Sequence, residues 1–227
     1  MAKVLLASGG PTYAHDHRAC AETISDILTQ AGHTVAATTR HFDEFPAALE
    51  RTAPDVVVVH ALWWRMLADR YDDLRQDWAY STTGDLRASL ATHVTSGGGL
   101  VALHTATICF DDWSGWGDLV GGQWNWERSF HPPLGEAAVR IANPAHAMTH
   151  GLTDFITIDE IYANLDLRPG IEPLAFGLHA DGSEHPILWA RTVGQGRVAQ
   201  FGLGHNPTAL QHPTTAEILR RCVAWTL

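Results

Sequence analysis

The run Asp55-Val56-Val57-Val58-Val59-His60 constrains this chain more than any other stretch of its 227 residues. It is apolar without alternation, so a strand built from it must be covered on both faces. Parallel sheets wrapped by helices provide that cover. The surroundings repeat the pattern. Lys3 to Ala7 is a short apolar run closed by Ser8-Gly9-Gly10-Pro11, and reads as a first buried strand. Residues 15 to 31 carry Cys20, Ile24, Ile27, Leu28 and Ala31 near one helical face, with Gly32 as the stop. A β-branched strand is expected over 34–39, a short helix over 42–51, a helix over 84–96 closed by Gly97-Gly98-Gly99, and a strand over 100–103. This β-α alternation predicts an α/β fold with a flavodoxin-like, doubly wound, mostly parallel sheet and helices on both faces. After residue 135 short strands follow without helices between them, near 137–142, 156–164, 174–178, 187–191 and 198–203. They predict an antiparallel extension or cap, closed by a helix over 214–225. No repeat or linker divides the chain, so residues 1–227 are expected to form a single domain. The segment 61–83, rich in tryptophan, exceeds an ordinary connection and reads as an insert or lid.

Composition excludes several function classes. The formal net charge of -10 opposes nucleic-acid binding, which needs Lys and Arg to neutralise phosphates. It equally opposes an anionic membrane surface, and no apolar run is long enough to span a bilayer. Met1-Ala2-Lys3-Val4 enters a strand at once, so no signal peptide is expected. Cys20, Cys109 and Cys222 form no CxxC pair, and predict free thiols in a reducing cytoplasm. A homo-oligomer stays open.

Fourteen histidines and nine tryptophans are high counts for this length. Histidine is the commonest metal ligand and the near-neutral acid/base group. In an open α/β sheet, ligands bind beyond the carboxyl ends of the strands. Those ends carry His15-Asp16-His17, His60 and His104-Thr105, followed later by His131, Asp159-Glu160 and His205. His17 is expected to face solvent. The usual motifs are absent. Ser8-Gly9-Gly10-Pro11 is not GxGxxG, so no nucleotide cofactor is expected, and neither a P-loop nor a GxSxG elbow occurs. Where an amidotransferase elbow needs Cys, the fourth strand ends at His104. Cys109 reads as a packing residue. No HExxH fixes a zinc site by spacing. For any one histidine, a hydrogen-bonded core or surface role is the bland alternative, so only their recurrence at strand ends argues for a site.

The ordered segments resemble the ThuA-like (trehalose-utilisation) family, within the class I glutamine-amidotransferase-like superfamily. The resemblance is carried by Ser8-Gly9-Gly10 with His15-Asp16, Asp55 to Val58, Gly97 to His104, Val120-Gly121-Gly122 and His131-Pro132-Pro133. Asn143 to Leu152, Asp159 to Tyr162, Trp189-Ala190-Arg191, Gly194 to Val198 and Gly202 to His205 continue it. It implies the amidotransferase fold without its nucleophilic Cys, and a link to catabolism of trehalose and keto-sugars. The tryptophan-rich insert departs from the family pattern.

These readings converge on an enzyme of carbohydrate catabolism, acting on a sugar-like small molecule as a hydrolase, lyase or isomerase. His15, His104, His131, Glu160 and His205 are the expected ligands of a divalent metal, zinc favoured. His104, Glu160 and His205 are the expected catalytic groups, and Trp63, Trp124, Trp126 and Arg191 the expected substrate contacts. Each Trp has packing as its alternative, and Arg191 an ion pair. Metal-free acid/base chemistry by His104 with Glu160 stays open. The reading from a different class is a non-catalytic carbohydrate-binding or sensing domain on a decayed amidotransferase fold.

Overall fold

A computed structural model describes residues 1–227. In chain order, β1 (Lys3–Gly9), α1 (His17–Gln30), β2 (Thr34–Thr39), α2 (Phe45–Thr52), β3 (Val56–Ala61), α3 (Asp72–Trp78), α4 (Gly84–Thr95) and β4 (Gly99–Leu103) build the first half. The second half holds α5 (Ser114–Val120), β5 (Gly122–Gln123), β6 (Gly135–Ile141), β7 (Phe155–Asp159), β8 (Asp166–Leu167), β9 (Pro173–Leu178), β10 (Glu184–Val193), β11 (Gly196–Phe201), α6 (Pro207–Gln211) and α7 (Pro213–Thr226). Nine strands form one sheet in the order β2-β1-β3-β4-β11-β10-β9-β6-β7, while β5 and β8 pair separately. The first five are parallel neighbours in the flavodoxin-like order, and the last four extend the sheet antiparallel.

The apolar runs lack alternation because both faces are buried. Along β1, Val4 and Leu6 join a core with α1 and α7, whereas Leu5 and Ala7 join a second core with α2 and α4. All residues of β3 and β4 are buried. Each such aliphatic side chain contributes roughly 1.5–3 kcal/mol through burial.

Three expectations change. The strand over 198–203 is not part of the antiparallel extension alone, because β11 pairs in parallel with β4 and completes the parallel sheet. It reaches that slot through the hairpin with β10, without a helical crossover of its own. The strand expected to 164 stops at Asp159. The insert holds the helix α3 as well as extended chain, fixed by Arg75, whose guanidinium donates to the carbonyls of Met66, Leu67 and Ala68.

Gly9 ends β1 against the turn that follows β2. A Cβ there would stand 1.9 Å from the Arg40 carbonyl oxygen, a backbone atom that cannot swing away. Gly9→Ala is expected to cost about 1–3 kcal/mol. Denaturant unfolding checks this, and an unchanged midpoint would contradict it.

Candidate functional site

β4 delivers His104 to the carboxyl edge of the sheet in a left-handed conformation, with φ of 48°. A non-glycine residue is held there only when its surroundings over-determine it. The ring is fully buried. Its Nδ1 lies 2.9 Å from the Gly202 carbonyl, so the ring proton sits on Nδ1 and Nε2 keeps a lone pair. That Nε2 is 3.3 Å from His15 Nε2, 3.2 Å from the Tyr162 hydroxyl and 3.9 Å from Glu160 Oε2. Glu160 Oε2 in turn lies 3.2 Å from His205 Nδ1 and 3.5 Å from His131 Nδ1. One ligand atom from each of His15, His104, Glu160 and His205 falls within 4.8 Å of the other three.

Local structure explains the convergence. Asp16 caps α1 by accepting from the Ala19 amide, so the helix begins at His17 and His15 stays on the β1 loop. Asp159, at the end of β7, accepts from the amides of Gly204 at 2.7 Å and His205 at 3.3 Å, and from that of Glu160 at 2.8 Å. One buried carboxylate therefore fastens the two segments that carry Glu160 and His205. Asp159→Ala would strand the buried Gly204 amide. The expected loss is about 1–3 kcal/mol of stability, with weaker metal retention. Thermal unfolding with and without zinc checks both effects, and wild-type behaviour in the variant would contradict them.

The electrostatics separate the histidines. Burial, then the neighbouring His205, His17, His60 and His131, lowers the pKa of His15 to about 2. Burial and His15 hold His104 well below its ordinary value. Burial also brings His17 to about 3 and His60 to about 4. For His205 burial lowers the pKa, but the Glu160 hydrogen bond and charge, with Asp159 behind, leave it raised. Burial lifts Asp159 to about 6 against its three amide donors. His15 and His104 are thus neutral at pH 7 with lone pairs available, beside a carboxylate paired with an imidazole. Two imidazoles on one tetrahedral zinc, at about 2.0–2.1 Å each, set their nitrogens about 3.3 Å apart. The His15 and His104 Nε2 atoms already stand at 3.3 Å. The donor set fits a divalent metal, with a second shell in the Gly202 carbonyl, which holds His104 Nδ1.

His15, His131, Glu160 and His205 line a cleft of about 330 Å³ walled by Tyr13, Trp64, Trp124, Trp126 and Tyr162, with His104 buried behind them. A larger groove of about 920 Å³ lies at the opposite end, between α2 and α4. Its one histidine, His93, is engaged by the Gly99 carbonyl, and no ligating cluster reaches it.

The sequence profile of the ThuA family, described as trehalose utilisation, matches residues 3–226. The chain belongs to the ThuA family. Similar solved structures include a ThuA-like protein from Parabacteroides merdae ATCC 43184, at 17% identity and TM-score 0.80, covering 99% of this chain and 89% of that one. A cytoplasmic protein from Salmonella typhimurium LT2 matches at 14% identity and TM-score 0.65, covering 99% of each chain. A β-galactosidase from Rahnella sp. R3 matches at 14% identity and TM-score 0.63, over 99% of this chain but 31% of that one. At these identities the likeness is one of fold. No curated protein matches the sequence.

In this ThuA-family chain, His15, His104, Glu160 and His205 come together as the sequence suggested. His131 lines the cleft and faces Glu160, but lies outside the four-atom set. Trp124 and Trp126 stand on the cleft wall. Trp63 does not. It packs with His41, Trp78 and Tyr80 and lines a separate cavity, while Trp64 takes the cleft position. Successive residues of extended chain point in opposite directions, so one step in sequence exchanges the two rings. Arg191 lies away from the cleft, beside Trp189 and the Gly121 backbone, and makes no ion pair. His17 is buried rather than solvent-facing, and both its ring nitrogens lack partners. Sequence reasoning missed Tyr162 as the donor to His104, although Ile161-Tyr162 directly follows Glu160.

Proposed function

We propose that this ThuA-family chain is a metal-dependent enzyme of carbohydrate catabolism, folded as one domain over residues 1–227. The carrying observation is the four-atom cluster at the base of an aromatic cleft, with His104 Nε2 facing His15 and Glu160. His15, His104, Glu160 and His205 would hold the ion, and the nitrogen-rich donor set favours zinc. A bound divalent ion supplies Lewis-acid polarisation of a carbonyl or activation of water.

The chain's own residues do the rest. The Gly202 carbonyl fixes the His104 tautomer and ring plane. Asp159 holds Glu160 and His205 in register. Trp124, edge-on to Tyr162 at 5.3 Å, offers a flat apolar wall against which a sugar ring can lie. His131, at 38% side-chain exposure and 3.5 Å from Glu160, is placed to move protons at the cleft mouth. Hydrolysis, elimination and isomerisation of a sugar or keto-sugar are the reaction classes this arrangement supports. Cys20, Cys109 and Cys222 are free and buried, which suits the reducing cytoplasm where we place the chain. No helix is long and apolar enough to cross a membrane.

The reading from another class, a sugar-sensing domain, draws on the chemistry lost at the elbow. His104 stands where an amidotransferase keeps Cys, and the nearby Cys109 thiol is buried and donates to the Ala61 carbonyl. Assays on keto-sugars and glycosides, with and without chelation, decide between the two. Turnover that stops on chelation and returns with zinc is expected. Turnover that survives chelation would favour metal-free chemistry by His104 and Glu160. Sugar binding without turnover would favour the sensor.

A further inference from the structure

The cleft does not end at the histidines. Trp64, Arg70, Tyr71 and Trp126 line it and also line a second cavity of about 340 Å³, so the two are immediate neighbours across shared side chains. The second cavity adds Leu67 and Ala68, both from the insert at 61–83. Its lining is unlike a sugar subsite. A pyranose ring offers several hydroxyls, each of which must find a partner when it leaves water. The only carboxylate here, Asp111, is already taken by Arg65 through its amide at 2.9 Å and its guanidinium at 3.3 Å. Apart from Arg65 and Arg70, the rest of the wall is aromatic or aliphatic.

Two donors remain free. Trp64 is 3% exposed, and its indole nitrogen has no hydrogen-bond partner. Arg70 makes no ion pair and lies over the Tyr71 ring at 4.9 Å. Trp126 is 41% exposed and near-parallel to Trp64, at 6.0 Å and 24°. Large apolar groups left in water at the end of a groove mark a binding surface. Arg75 holds the backbone beneath Leu67 and Ala68, so the floor is fixed before any ligand arrives.

We propose that this distal cavity is an aglycone subsite, which takes a flat apolar ring carrying an acceptor oxygen and so directs the chain toward aryl glycosides. The inference rests on the carbohydrate reading above. The sugar would occupy the histidine end. The aromatic ring would lie against Trp126 and Leu67, with its oxygen toward the Arg70 guanidinium. No bond is made or broken in the distal cavity. It sets which leaving portion the site accepts.

The test is calorimetric binding to the full, zinc-supplemented chain of methyl glucoside, 4-nitrophenyl glucoside and a glucose disaccharide, in both anomeric forms. The nitrophenyl glucoside is expected to bind at least about tenfold more tightly than the other two. In Trp126→Ala, Arg70→Gln and Leu67→Asp, each checked for native circular dichroism, that ratio is expected to fall toward one. Equal binding of methyl and nitrophenyl glucosides would overturn the aglycone subsite and leave the carbohydrate reading standing. Tightest binding of the disaccharide would overturn the subsite in the same way, as would a nitrophenyl advantage kept by all three variants. Binding of none of the probes would overturn the carbohydrate reading, and this inference with it.

Discussion

His104→Ala is expected to weaken zinc binding by more than about 100-fold, beyond the 10–100-fold that loss of an outer-shell partner costs. The reason is positional. Among the four proposed ligand atoms, His104 Nε2 is the one whose ring tautomer is fixed by a backbone carbonyl, at Gly202, and it sits against both His15 and Glu160. Removing the ring leaves the Gly202 carbonyl unpaired and takes away the hydroxyl partner of Tyr162. A stability comparison separates the ligand role from the fold role. Residue 104 has a φ of 48°, which alanine tolerates poorly and glycine freely. His104→Gly should therefore lose zinc as fully as His104→Ala, yet fold more stably than it by about 1 kcal/mol. A chromophoric chelator competition reads the affinity, and urea unfolding reads the stability. Retention of wild-type zinc affinity in both variants would remove His104 from the ligand set.

Trp189→Ala carries the largest expected stability loss, about 3–5 kcal/mol. Trp189 lies on β10 with no exposed surface, and its indole N–H donates to the Val120 carbonyl at 2.8 Å. Its ring covers the Gly121–Gly122 backbone, so closely that a Cβ on Gly122 would stand 3.0 Å away. Truncation would open a cavity there and leave a buried carbonyl unpaired, two costs that add. Trp189→Phe should restore most of the packing but not the hydrogen bond. Because Trp189 is not part of the histidine cleft, zinc affinity should stay within about twofold while the protein remains folded. Denaturant unfolding with a parallel metal titration checks this. A loss under about 1 kcal/mol would contradict the tight packing of this ring.

The two large effects also show what was legible in the sequence. The parallel strands could be read because burial on both faces leaves unbroken apolar runs, as at Val56 to Val59. The strand ends could be read as the place where the histidines and Glu160 gather, because an open α/β sheet brings them to one edge. His15, His104, Glu160 and His205 followed from that rule together with the family resemblance. The pattern could not give the neighbour each strand would choose. Val198 and Ala199 look the same in a strand beside β10 alone as in one that also pairs with β4. Nor could it give the direction of a side chain beyond a strand end, where Trp63 and Trp64 exchange roles within one residue. His17 shows the same limit, since a helix start beside Asp16 looks polar and exposed until α1 is docked. Tyr162 was hidden for another reason. Its hydroxyl meets His104 across 58 positions of sequence, and no local spacing reports that contact.

A metal centre at the carboxyl edge of the sheet is tested most directly by anomalous diffraction at the zinc edge, from crystals of the zinc-supplemented chain. One strong peak is expected within about 2.0–2.2 Å of the ligand atoms of His15, His104, Glu160 and His205. No peak at that point, or a peak only elsewhere on the surface, would contradict a metal centre there.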